Sequence, residues 1–132
     1  SKRSEATSSP LYGFEVRDGP AVRQKGAVMA WVSLFFAGIF EIVWAWAMKA
    51  SDGFTRPWAV VLMLMTMVLS FALLAHAMRV LPLGTAYAIW TGIGALGSFV
   101  VGILVLGEPA TTMRMMAAGL ILSGIVLMKI AT

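Results

Sequence analysis

The chain contains no cysteine. Disulfides and thiolate metal sites are therefore excluded. There is one histidine, His76, so no metal site and no cofactor is expected. Charge is scarce as well. Only 12% of the 132 residues are charged, about half the fraction of an ordinary soluble domain. The few charges are also confined. Residues 30–48 hold one, Glu41, and residues 58–78 hold none besides His76. Residues 83–106 and 115–128 hold none.

What is left is apolar, at 60% hydrophobic residues. A helix that crosses the hydrocarbon core needs roughly 17–25 residues of this kind. Three of the four runs meet that length. The fourth is short, but Arg114 and Lys129 at its ends can snorkel to the two interfaces. The fold class is an all-α integral membrane protein with four transmembrane helices per chain. No secretory signal peptide is expected, because the first apolar run starts near residue 30 and no cleavage site follows it. The net charge of +4 points to lipid rather than nucleic acid. Lys49, Arg56, Arg79, Arg114 and Lys129 all stand at the ends of apolar runs, where a membrane protein marks its interfaces.

Residues 1–28 differ in kind. They are polar, mixed in charge and interrupted by Pro10, Gly13, Gly19, Pro20 and Gly26. They show no helical or strand period and read as a flexible polar tail. The chain opens with Ser while Met29 stands directly before the first span. An artificial leader and a misplaced start are both open for this tail. Residues 29–132 form the second unit, a four-helix membrane domain. Span one covers 30–49 and ends at "KASDGFTRP", where Asp52-Gly53 makes a turn and Pro57 can open the next helix. Span two covers 57–79, span three 84–106 after "VLPLG", and span four 112–130 after "GEPAT". Loops this short make successive helices antiparallel.

Glu41 is the residue out of place. A carboxylate at the centre of a membrane helix costs about 2.5–3.5 kcal/mol on insertion scales. Every basic residue is terminal, so none offsets that cost, and binding a proton lowers it. A carboxyl without a fixed counter-ion can take either a proton or a cationic ligand. The blander role is a protonated side chain hydrogen-bonding two helices. Gly38, Glu41 and Trp44 or Ala45 share a helix face by their spacing. Tyr87, Trp90, Thr91, Gly94 and Ser98 form a stripe on span three, and Thr66 and Ser70 lie one turn apart on span two. One acid, several rings and a few hydroxyls suit a cation.

"GIGALG" at Gly92 to Gly97 matches a dinucleotide-binding pattern, but it lies inside an uncharged apolar helix and not after a strand. Its glycines suit helix packing instead, with Gly94, Ser98 and Gly102 spaced by four. Gly119, Ser123 and Gly124 make a second small-residue face and a candidate dimer contact. His76 reads as interfacial. Glu108, before Pro109, reads as solvated or as a cap for span four.

These residues together resemble the small multidrug resistance transporters, and within them the guanidinium-exporter branch. "FEIVWAWAMK", "GFTRP", "LPLGTAYAIWTGIG" and "LGEPAT" carry the resemblance, which covers about residues 29–132 and leaves out the tail. It implies an antiparallel, dual-topology homodimer in the inner membrane that exchanges protons for cations. It implies that Glu41 is the shared proton and substrate site, with Gly38, Trp44, Ser70, Tyr87 and Trp90 around it. Span four, with "GLILSG", is the implied dimerisation helix. The hydroxyls of Thr66, Ser70 and Thr91 favour a small hydrogen-bonding cation such as guanidinium. A broad exporter of quaternary ammonium ions is the nearest alternative, and a non-transporting assembly subunit a further one. No enzyme is expected, because no second acid, base or nucleophile accompanies Glu41.

Overall fold

The computed structural model describes residues 20–132, with side chains from residue 24 onward. Four helices follow one another: α1 Pro20–Ala50, α2 Pro57–Ala77, α3 Leu83–Leu104 and α4 Thr112–Ile130. All four are long and apolar enough to cross a membrane.

Helix α1 departs from the expected start. It has 31 residues, which is about 46 Å of helix against about 30 Å of hydrocarbon. Its first turns must therefore stand beyond the apolar core or tilt within it. Residues 20–28 are helical rather than part of an irregular tail; residues 1–19 lie outside the described residues. Adding turns to an existing helix avoids the cost of nucleation. Pro20 is acceptable in a first helical turn, and Arg23, Gln24 and Lys25 are good helix formers.

The end of α1 is closed by Ser51. Its buried hydroxyl donates to the Met48 carbonyl at 2.7 Å and accepts from the Phe54 amide at 3.1 Å. Asp52, Gly53 and Phe54 then take positive φ in succession, so the turn expected at Asp52-Gly53 is one residue longer. Pro57 opens α2, as its missing N–H allows. Thr111 caps α4 by accepting from the Arg114 amide at 3.3 Å. This corrects the reading of Glu108 as a cap: Glu108 is half-buried and paired with Arg114.

Helix α1 packs against both α2 and α3, while α4 packs on α3. Small residues set the close approach. Ala30, Ser33, Ala37, Ala59, Thr66, Ser70 and Ala77 are all buried along the α1–α2 contact. Across α1 and α3 the glycines do the same. A Cβ on Gly38 would strike Ile93, one on Gly94 would strike Glu41, and one on Gly97 would strike Ile42. On the other side of α3, a Cβ on Gly92 would strike Ile125 of α4. The "GIGALG" glycines thus serve helix packing in two directions. Large apolar side chains such as Val68, Leu104, Leu120 and Ile130 stay exposed on the outer faces, the surface a lipid-facing bundle presents.

Candidate functional site in the membrane interior

Glu41 lies near the middle of the apolar stretch of α1 and is half-buried. Its Cγ fills the space that a side chain at residue 94 would need. The described residues contain one ion pair, Glu108–Arg114, so Glu41 has no basic partner among them.

One turn before Glu41 on α1, and one turn before Gly94 on α3, a hydrogen-bonded chain joins three helices. Trp90 donates its indole N–H to the Ser70 hydroxyl at 2.9 Å, and Ser70 donates to the Ala37 carbonyl at 2.7 Å. Both side chains are buried. Ser70 therefore retains one acceptor lone pair. The Trp90 ring is flanked by Tyr87 at 5.6 Å and by Phe71 at 5.7 Å between centroids. Tyr87 is half-exposed. Trp44, one turn after Glu41, buries its Nε1 without a hydrogen-bond partner among the described residues.

The structure thus gathers Gly38, Glu41, Ser70, Trp90 and Gly94 at the α1–α2–α3 contact, with Tyr87 beside Trp90. Other expected members fall elsewhere. Thr91 lines a groove toward α4 with Gly92, Ile121 and Gly124, and its hydroxyl donates to the Tyr87 carbonyl at 2.8 Å. Thr66 is buried but bonds its own helix at the Leu62 carbonyl, 2.8 Å away. A stripe drawn at offsets of three and four spans too wide an arc for every member to meet one neighbour. Phe71 is not legible in the sequence: it sits one position after Ser70 with nothing in the local pattern to mark its contact with Trp90.

Beyond Glu41, toward the end of α1, a cavity of about 340 Å³ opens between α1, α3 and the loop before α4. Ile42, Trp46, Lys49, Ser98, Glu108 and Arg114 are among the residues lining it. At the opposite end, Lys129 of α4 lies over the Trp31 ring at 5.4 Å, and His76 meets the Ser33 hydroxyl at 3.2 Å. Gly119 and Gly124 would have nothing within 4 Å of an added Cβ. Ser123 is exposed and donates to the Gly119 carbonyl at 2.8 Å. The small-residue face of α4 is therefore open among the described residues of a single copy.

Comparison with known proteins decides the family. Residues 29–121 match the model of the Small Multidrug Resistance protein family. The chain belongs to the small multidrug resistance family. A guanidinium exporter of Citrobacter freundii is 48% identical over 104 residues, covering 79% of this chain and 99% of that protein. A guanidinium exporter of Yersinia pestis is 49% identical over 104 residues, covering 79% of this chain and 100% of that protein. The one from Salmonella typhimurium strain LT2 is 48% identical over 103 residues, covering 78% and 98%. With four spans and this membership, the chain is a multi-pass membrane transport protein of the small multidrug resistance kind.

Proposed function

We propose that the protein is a proton-coupled antiporter that exports guanidinium-type cations across the inner membrane. The observation that carries this reading is Glu41, a carboxylate set in an apolar helix, seated on Gly94 and lacking any basic partner among the described residues. Glu41 cannot hold a proton and a cation together, so binding one releases the other. If access to the site alternates between the two sides, that competition is exchange. Ser70 is enclosed in this arrangement; in this reading its remaining lone pair takes a guanidinium N–H when access opens, and the Trp90 and Trp44 rings offer faces to the positive charge. The names of the relatives favour guanidinium as the cation.

The working unit in this reading is a homodimer with its copies inserted in opposite orientations. One feature supports a second copy. The small-residue face of α4 has no partner among the described residues of one copy. A broad exporter of quaternary ammonium ions is the competing reading, favoured by the row of rings at Phe71, Trp90 and Tyr87. Uptake by proteoliposomes under a proton gradient separates the two. Guanidinium should be carried well and tetraphenylphosphonium poorly; comparable uptake would move the protein to the broad class.

A further inference from the structure

The exporter reading leaves one carboxylate unused. Glu108 lies in the loop between α3 and α4 and is half-buried. It rests against α3 at Gly102, where any side chain would collide with its carboxyl oxygen. Its partner is Arg114, whose Nη2 is 3.5 Å from Oε2. The same guanidinium donates through Nη1 to the Pro109 carbonyl at 2.6 Å. It also stands over the Phe99 ring, 5.3 Å from the centroid. A carboxylate, a carbonyl and an aromatic face therefore converge on one guanidinium group. The protein holds its own copy of the cation class that the exporter reading assigns as substrate.

Three features make this place accessible to an external cation. The Glu108–Arg114 contact is single rather than bidentate, and the two side chains are 40% and 38% exposed. Pairs of this kind are weak and exchange readily with solvent. The pair lines the 340 Å³ cavity at the bundle end, ample for a four-heavy-atom ion. The cavity also borders Ile42 and Ala95, the residues next to Glu41 and Gly94 in the chain. Glu41 sits on Gly94 and Glu108 on Gly102, eight residues apart, or about 12 Å along α3. Ser98 lies halfway between and lines the cavity.

We propose that Glu108 is a mouth station for guanidinium-type cations, occupied at rest by the Arg114 side chain, which an incoming cation displaces on its way to Glu41. Arg114 is then an internal competitor and Glu108 a binding residue. This rests on the exporter reading for its substrate but not for its geometry. A purely structural pair would brace the loop, and losing either partner would have the same consequence. A competitor and a binding group have opposite consequences.

The test uses the full chain in proteoliposomes with guanidinium uptake as the readout. Glu108→Gln should raise KM at least threefold, because the cavity lining loses its one carboxylate and keeps the cations Lys49 and Arg114. Arg114→Gln should lower KM at least twofold, because the internal competitor is gone. Shifts in the same direction, or no shift in either variant, overturn the proposal. A second measurement covers the case in which either variant transports poorly for other reasons. Guanidinium chloride is titrated into the Glu41→Gln protein and tryptophan fluorescence is followed, since Trp46 lines the same cavity. A saturable response is expected, absent with sodium chloride and lost in the Glu41→Gln, Glu108→Gln double variant. No response in the single variant, or an unchanged response in the double one, also overturns it. Failure of the wild type to carry guanidinium would sink the exporter reading alone, because the titration still reports on the mouth.

Discussion

The side chain of Glu41 occupies the place that residue 94 would need for any side chain of its own. Its Cγ overlaps the position of a Cβ built on Gly94. The acid and the glycine are one fitted pair across α1 and α3. Gly94→Ala must therefore push the carboxylate aside or part the two helices. We expect guanidinium uptake to fall at least tenfold, about 1.4 kcal/mol of lost interaction. Gly84→Ala is the matched control, with nothing within 4 Å of its added Cβ, and should transport normally. Equal activity of the two variants in proteoliposomes would contradict the fit.

Competition at Glu41 fixes the sign of the pH dependence. Adding cation to the protonated protein should release protons, and a weakly buffered sample will record them. Below the carboxyl's pKa, each unit of pH should weaken guanidinium binding about tenfold, because one proton must leave for each cation bound. Well above it, affinity should be flat. Glu41→Gln should show neither binding at this site nor proton release. Proton release by that variant would place the coupling group elsewhere.

Ser70 and Trp90 should be coupled in stability. Ser70→Ala leaves a buried indole N–H without its acceptor, a cost of about 1–3 kcal/mol. Trp90→Phe removes the donor and loses packing instead. Once Trp90 is Phe, the further change of Ser70 to Ala should cost less than it does alone, with a coupling of about 1 kcal/mol in a double-mutant cycle. Thermal unfolding in detergent reads this directly. In transport, Ser70→Ala should weaken guanidinium more than a hydrophobic ammonium ion, which forms no hydrogen bond to lose. Strict additivity of the two stability changes would mean that the 2.9 Å contact is energetically idle.

Much of this architecture is legible in the chain because lipid tolerates so little charge. Gaps between charged residues mark all four spans, and Pro57 and Asp52-Gly53 mark a turn by backbone chemistry alone. The start of α1 is not legible that way. Arg23 and Lys25 look like the end of a span, yet a helix continues through polar residues once it has been nucleated. Glu41 stands out as an isolated charge, and Trp90 as an aromatic residue deep within its span. Their partners do not stand out. Whether Ser70 or Thr66 turns its hydroxyl to another helix depends on which side of α2 meets α1. Both hydroxyls can bond their own backbone, and only Ser70 reaches across, to Ala37. Spacing puts Thr91 on one stripe with Trp90, yet the one-residue step turns it toward α4. The Glu108–Arg114 pair crosses a proline-containing loop whose path no periodicity describes.

Insertion in both orientations is the remaining prediction, and it follows from charge balance. With four spans, Arg79 and Lys129 fall on the side of both chain ends, and Lys49, Arg56 and Arg114 fall on the other. Orientation follows the bias of Lys and Arg near helix ends. Two against three is nearly even for residues 29–132, whereas Arg17, Arg23 and Lys25 near the start of the first span make it five against three. The first count imposes no topology, and the second leans toward one. The chain has no cysteine, so a single introduced one reports without background. Thr55→Cys suits the purpose, since Thr55 is exposed in the loop between α1 and α2 and carries no charge. In a chain beginning at Met29, a membrane-impermeant maleimide added to sealed cells should label about half of the molecules, the share expected from even charge balance, and all of them after permeabilisation. The full chain adds Arg17, Arg23 and Lys25 near the first span, a bias that holds the chain ends inside and should raise the labelled share above half. Labelling of all molecules or none in sealed cells would establish a single orientation and exclude the antiparallel dimer for this protein.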